Sequence, residues 1–530
     1  MLYNFQTRNG GESMLRLITT MTFFISLAYA QTSKIVWINY QAAGCVTCHR
    51  IASVKMNDTL YIFGTFHYNN NKMNPFLIAV DSSLNIKWFK AFSHNLPNLG
   101  ITAIHKVNDS LILVSGGHDI ASGNCSSQNC NFFGLFNVKN QSFIWSKYFS
   151  QNRTYGTFMD IAQISNNSFI LLAHRVDYDK NSVIVKIDLN GNVIYQKLIS
   201  VGINVCTSLS SINDKLFISC FLHGGYHQSR IIAVDTLGNA IFSKKLDFGF
   251  QVVPYRIFRT SNGFLVVGFY MAGSGCCPRP HHIFIYKVDF NGNFMWGKRY
   301  ESSLGSSRAF NIAQDWDGNY LISGYIEVNS TTSYPLVMKI DNDGNLIWAR
   351  AWETIPLNTS SNLGKGVISI GQGKFYLLTF IGSGTHASGG FAIIREDTNP
   401  NLVGHCTEPI NLNVNPYTPA IDSQTLTITD ANYTLSDLSL TPYSPPINQT
   451  NSCQITPVSN YEFYKSCFFE IRANKGYIDI KLKEKNNVIV YDIIGNVVYS
   501  EFFEGERNVK VKNGIYVIKV GKEKVKMVVR

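Results

Sequence analysis

Ile184-Val-Lys-Ile-Asp188-Leu-Asn-Gly191-Asn192-Val-Ile-Tyr195 is a short apolar strand, an aspartate, a Gly-Asn turn, and an aromatic residue seven positions after the aspartate. The same order recurs from Leu77 to Asp81 and Trp88, with Leu84 in place of the glycine, and from Ile231 to Asp235 and Phe242, Ile285 to Asp289 and Trp296, and Val337 to Asp341 and Trp348. A looser copy ends at Trp145. Recurrence at roughly fifty residues, with strand patterns inside each unit, marks a repeat architecture in which each unit buries its faces against its neighbours.

A second strand keeps register with the first: Leu60-Tyr-Ile-Phe-Gly, Leu111-Ile-Leu-Val-Ser, Phe169-Ile-Leu-Leu-Ala, Leu216-Phe-Ile-Ser-Cys, Phe264-Leu-Val-Val-Gly, Tyr320-Leu-Ile-Ser-Gly and Phe375-Tyr-Leu-Leu-Thr. Polar pairs such as Asn57-Asp58, Asn213-Asp214 and Asn262-Gly263 precede these strands and suit tight hairpin turns. Each unit therefore reads as four antiparallel strands, the blade of a β-propeller. The seventh unit has its third strand, Phe391 to Arg395, but no aromatic strand after it. Lys34-Ile-Val-Trp37-Ile-Asn-Tyr40 has that missing form. The expected fold is all-β: a seven-bladed propeller over residues 31–400, closed by the N-terminal strand so that no sheet edge is left open there. With 13% aromatic and 15% charged residues, the chain has enough apolar surface for such sheet-to-sheet interfaces.

Met14-Leu-Arg16, the apolar run Leu17 to Leu27, and Ala28-Tyr-Ala30 have the charged start, short core and small-residue end of a secretory signal peptide. Residues 1–30 are assigned to it, with Met14 as the start and Gln31 as the mature N-terminus. The apolar run is short for a bilayer span, and the chain is not expected to span a membrane. Residues 401–455, rich in Pro, Thr, Ser and Asn, read as a connector bracketed by Cys406 and Cys453, which suit a disulfide in an exported protein.

Residues 456–530 form a separate small β unit. Val488-Ile-Val-Tyr491-Asp492-Ile-Ile-Gly495-Asn-Val-Val-Tyr499, then Gly514-Ile-Tyr516-Val-Ile-Lys519, then Lys522 to the basic strand around Lys526, resembles the C-terminal sorting domain of type IX secretion substrates in Bacteroidota. The Pro-Asn-Pro usual at the start of that domain is replaced by Tyr461 to Phe469. The resemblance implies a small C-terminal β-sandwich, the type IX machinery as partner, and a secreted or outer-surface location after the domain is removed. Tyr491, Asp492, Gly495, Gly514, Tyr516 and Lys526 are the motif positions. The repeats themselves resemble the Asp-x-x-Gly-Asn-x-x-Trp units of exported proteins of the same bacteria.

Cys45-Val-Thr-Cys48-His49 has the Cys-x-x-Cys-His form that attaches haem c, two thioethers holding the porphyrin and the histidine ligating iron. A plain thiol pair or disulfide is the competing reading, and no cofactor is the expectation. Cys125 and Cys130 flank a four-residue loop and suit a small disulfide. Cys276-Cys277-Pro-Arg-Pro-His281-His282 supplies zinc-ligand types, but adjacent ligands diverge in extended chain, and no metal is expected. Asp315-Trp-Asp317-Gly-Asn319 and Asp341-Asn-Asp343-Gly-Asn345 lack the distal glutamate of a calcium loop and read as hairpin turns.

No nucleophile elbow, zincin helix, phosphate loop or paired carboxylates stand out. The net charge of +11 is spread along the chain, as in Lys90, Lys147, Lys197, Lys244, Lys298 and Arg350 on successive fourth strands, which disfavours nucleic acid and suits an anionic surface glycan or solubility. The functional expectation is a surface binding module for a glycan or protein ligand. An exported one-haem redox protein and a polysaccharide hydrolase or lyase are the alternatives.

Overall fold

The computed structural model describes residues 34–39, most of 52–397, the strands of 408–452 and most of 457–529. The intervals 40–51, 69–71, 94–98, 118–130, 150–156, 175–181, 201–203, 223–227, 272–279, 330–331, 353–360, 383–388 and 398–407 lie outside the description. Every described regular element is a strand, and the arrangement is propeller-like and all-β.

The repeat units each fold as an antiparallel meander. Unit five is Gln251–Arg259, Phe264–Met271, His281–Val288 and Phe294–Glu301, paired in that order. Units one, four and six are built alike. Units two and three are likewise four-stranded but count as one sheet because Gly117 and Thr157 pair. Unit seven supplies Ser361–Gly371, Lys374–Gly382 and Gly389–Asp397, and Lys34–Asn39 stands next to the last of these.

The second and third strands are apolar without alternation because both faces are covered: Phe264 to Tyr270 are buried throughout. Separate apolar layers lie between consecutive units, for example Phe217, Ile231, Val252, Phe264 and Tyr286 between units four and five. Leu60, Ile78, Tyr376 and Ile393 form the layer between units one and seven. First strands approach one another in turn, from Ala52–Met56 through each following unit to Ser361–Gly371, which approaches Ala52–Met56 again.

The turn motif joins each unit to the next. Asp188 Oδ1 accepts the backbone N–H of Asn192 at 2.8 Å and its Oδ2 accepts the Asn192 side-chain amide at 2.8 Å. Asp81, Asp235, Asp289 and Asp341 make the same pair of bonds to the asparagine four residues on. The residue before that asparagine has positive φ, which an L side chain resists: glycine at Gly191, Gly238, Gly292 and Gly344, but Leu84, at +63°, in unit one. The bare Cα of each glycine also receives the preceding unit's aromatic ring. A Cβ on Gly344 would lie 2.5 Å from Trp296, one on Gly292 2.6 Å from Phe242, and one on Gly191 2.8 Å from Trp145. The indole of Trp145 donates to Leu189 O at 3.1 Å in the same turn.

The fourth-strand cations belong to this junction. Lys298 lies over the Trp296 ring at 5.6 Å and donates to Asn345 Oδ1 of unit six at 2.8 Å, and Lys244 does the same with Phe242 and Asn293 of unit five. Lys147 and Arg350 lie over Trp145 and Trp348. Lys244 and Lys298 therefore join consecutive units, a role beyond the surface-glycan or solubility role expected of them. A third-strand cation two residues before the aspartate reaches the carbonyl just after the next unit's aspartate: Lys186 to Thr236 O at 3.0 Å and Lys287 to Asn342 O at 3.4 Å. Arg395 of unit seven makes the same contact, at 2.8 Å, with Ser82 O of unit one.

Residues 408–452, expected to be a connector, also extend every sheet. Glu408–Pro409 pairs with unit six, Asn413–Pro416 with unit five, Ala420–Ser423 with four, Thr427–Asp430 with three, Leu435–Asp437 with two, Thr441–Tyr443 with one, and Asn448–Ser452 with Lys34–Asn39. The chain returns past the units in reverse order, adding one edge strand to each. Thr407–Ser452 accordingly belongs to the same compact unit as residues 35–395.

The C-terminal residues form a second compact unit. Its seven-stranded antiparallel sheet is organised by the long strand Tyr477–Asp492, and its Phe469–Asn474 strand approaches Glu523–Val529. Ile471, Ile480, Val490, Phe503, Tyr516 and Ile518 form its core.

Gly344 and Gly318 both sit at positive φ, but only Gly344 carries a ring on its Cα; nothing lies within 4 Å of a Cβ at Gly318. Gly318→Ala is expected to cost about 1 kcal/mol and Gly344→Ala roughly 2–4 kcal/mol, because overpacking adds to backbone strain. Urea unfolding of the two variants measures the difference. Equal losses would show that the ring contact contributes nothing.

Candidate functional site

The first strands of the units carry a predominantly basic set of charged residues. Lys55, His105, Lys106, Arg256, Arg259, Arg308 and Lys365 lie on them, against a single acidic residue, Asp160. Asp160 is 2% exposed and fully engaged. Its Oδ1 accepts the Ile161 N–H at 3.0 Å and the Arg256 guanidinium at 2.7 Å; its Oδ2 accepts Ser208 Oγ–H at 2.6 Å and the Leu209 N–H at 3.0 Å. One carboxylate thus ties units three, four and five together. With its lone pairs occupied and no second acid beside it on these strands, it is placed as a structural tie and not as half of an acid–base pair.

Six of the seven units have a β-bulge on the first strand, which re-aims the residue at the irregularity. Tyr255, Phe310 and Lys365 hold that position in units five, six and seven. They meet in a continuous platform. Lys365 Nζ lies 3.8 Å from the centre of the Phe310 ring, Phe310 lies edge-on to Tyr255 at 4.9 Å, and Tyr255 lies 5.7 Å from Phe269. Arg308 crosses the Phe269 ring at 4.5 Å, faces Tyr325 at 5.9 Å, and has its NH2 group 3.3 Å from the His281 ring nitrogens. Phe269 and Tyr325 are buried, whereas Tyr255, Arg308, Phe310, Lys365 and His281 keep partial exposure. Arg308 Nε is buried and has no hydrogen-bond partner in the structure.

Burial pushes the His281 imidazole down to about 4, with the neighbouring Arg308 and then His282 adding in the same direction. His282 is lowered chiefly by burial, as is His105. Burial pushes the Tyr325 phenol up to about 12. At neutral pH the platform therefore presents the Arg308 guanidinium and the Lys365 ammonium beside a neutral His281 imidazole and a neutral Tyr325 phenol. Such a surface can hold an anionic group against aromatic faces.

Of the residues singled out in the sequence, His281 enters this platform. His282 lies 5.5 Å from Tyr270 instead. Cys45, Cys48, His49, Cys125, Cys130, Cys406, Cys453 and Gly495 fall outside the described residues. No cluster of three His, Cys, Asp or Glu suited to a metal ion occurs among the described residues. Asp315 and Asp317, expected to be part of a plain turn, also clamp Lys339, whose Nζ lies 2.6 Å from a carboxylate oxygen of each. In the C-terminal unit Asp492 accepts from the Asn496 backbone at 2.8 Å and side chain at 3.0 Å, the same turn as in the repeats. Tyr516 is buried and donates to Lys512 O at 2.8 Å, Tyr491 lies on the long strand, and Gly514 and Lys526 hold strand positions opposite Val529 and Val517. Cys206 and Cys220, opposite each other on neighbouring strands, are disulfide-bonded. Their fourteen-residue separation spans one hairpin, a signal readable only once the register is known.

No family model matches this sequence, and no curated protein matches it. Among solved structures, a neuraminidase-like protein of A/little yellow-shouldered bat/Guatemala shares 11% identity at a TM-score of 0.31, covering 69% of this chain and 99% of that one. An exo-beta-1,3-galactanase from Phanerochaete chrysosporium shares 11% at 0.30, covering 72% and 100%. A bifunctional GH43-CE protein of Bacteroides eggerthii shares 10% at 0.27, covering 80% and 65%. Similarity at this level transfers no activity.

A histidine held below its ordinary value binds protons more readily in the unfolded chain. Stability from His281 is therefore fully present above pH 6.5 and is lost as pH falls toward about 4. Thermal midpoints are expected to fall from pH 7 to 4.5, with a shallower fall in His281→Gln. Identical pH profiles for the two proteins would refute the assignment.

Proposed function

We propose that residues 34–452 form a seven-bladed β-propeller, closed by the N-terminal strand, that binds an anionic glycan at the Tyr255–Arg308–Phe310–Lys365 platform. Three observations support the architecture: seven four-stranded sets counting Lys34–Asn39, first strands that meet in a circuit, and the Arg395–Ser82 contact that repeats between units seven and one what Lys287 makes between five and six. Between stacked sheets this is the arrangement that leaves the first strands around a central opening.

The observation that carries the functional reading is the platform itself. Aromatic faces accept the C–H faces of sugar rings, while a guanidinium and an ammonium pair with carboxylate or sulfate. Hydrolysis of a glycosidic bond ordinarily takes two carboxyl groups set against each other. The first strands offer only Asp160, already held by four donors. Binding without turnover is the reading this favours.

An exported, surface or secreted location is part of the proposal. It rests on the signal-peptide pattern and the resemblance of residues 456–530 to type IX sorting domains, and the Cys206–Cys220 disulfide suits an oxidising compartment. Among the described residues no helix is long and apolar enough to cross a membrane. The mature protein is expected to begin at Gln31, to lack the C-terminal unit, and to be colourless.

Purified protein is expected to bind carboxylated or sulfated polysaccharides in preference to neutral ones. Lys365→Ala should weaken binding about tenfold, and salt should weaken it further through screening. Equal retention of neutral polymers, or an unchanged Lys365→Ala affinity, would overturn the platform. Release of reducing ends would replace binding with hydrolysis, and a Soret band would replace it with haem chemistry.

A further inference from the structure

Every unit ends in a fourth strand whose outer side would be an open edge, and every one of those edges is filled by the same returning segment. Its strands begin at 408, 413, 420, 427, 435, 441 and 448. A step of about seven residues reaches at most ~25 Å in extended chain, enough to cross from one sheet to the next. On units one to six the strand covers the C-terminal part of the fourth strand, as where Lys197 to Ser200 faces Asp430 to Thr427 and Lys298 to Glu301 faces Pro416 to Asn413, whereas Asn448–Ser452 runs along Ile35 to Asn39.

Main-chain pairing is supplemented by side-chain anchors near units five and six. Leu412 is 8% exposed and joins the core with Tyr300 and Leu336. The Tyr417 ring lies 4.7 Å from Phe250 and 5.6 Å from the Arg299 guanidinium, and its N–H donates to Gly297 O at 2.8 Å. The Asn415 amide donates to Glu301 Oε2 at 3.2 Å. Backbone ladders with spaced side-chain pockets are the means by which sheet edges recognise extended peptides.

We propose that the seven outer edges form one strand-accepting track whose partner is this chain's own 407–452 segment, held without need of the covalent link at 398–406. Seven pairings in series act as linked binding events, so release of one leaves the others to hold it in place. A cut between unit seven and the segment then leaves everything C-terminal to the cut attached.

The test uses the full chain with a site-specific protease sequence inserted between residues 403 and 404, cut after folding. The two fragments are expected to co-elute in gel filtration at the uncut size and to separate only in denaturant. Separation in native buffer, with the larger fragment keeping its melting temperature, overturns the proposal. Should that insertion prevent folding, the same protease sequence placed between residues 399 and 400 decides: co-elution of the two fragments in native buffer supports the proposal, and their separation with the larger fragment keeping its melting temperature overturns it.

Discussion

The contact of one unit's aromatic ring with the next unit's glycine is the constraint on which the rest of the structure depends. It fixes the offset between consecutive sheets where the turn carries glycine, because in units three to six the ring lies on a residue that has no Cβ and holds positive φ, while Leu84 takes that position in unit one. The aspartate four residues before the asparagine holds that turn rigid, and the lysine two residues after the ring reaches the same asparagine. Five residue types at fixed spacing thus make one junction. Once made, it brings the first strands side by side, and with them the residues at their bulges.

The platform is a by-product of that stacking. Tyr255, Phe310 and Lys365 lie about fifty residues apart in sequence, and they converge because equivalent positions of adjacent sheets face one another. These positions lie on first strands and the turn motif lies between third and fourth strands, so the platform draws on residues the junction does not use. Asp160 plays the opposite part: it bonds across units and offers nothing to a ligand.

The four-strand units and their turns were legible in the sequence because both signals are local: an apolar run of strand length and an Asp-x-x-Gly-Asn turn. The role of Lys244 and Lys298 was not, since the ring and asparagine that receive each ammonium come from two units. The pairing of Cys206 with Cys220 depended on register. The returning segment was hidden most completely. Its strands are two to five residues long and contain Pro409, Pro416 and Pro442, so neither length nor alternation marks them. Short strands with proline are also how sheet edges avoid pairing with other molecules.

The return path has a mechanical consequence. Ile35 lies opposite Ser452 and Asn39 opposite Asn448, so the two strands run antiparallel and the chain enters and leaves that sheet at the same end. Force applied across residues 35 and 452 would load the ladder one rung at a time, as in a zipper, instead of shearing all rungs together. Load on residue 452 alone would peel the segment backwards, unit by unit, from Asn448–Ser452 to Glu408–Pro409. Such a fold would yield to tension in small successive extensions while the sheets beneath stay folded.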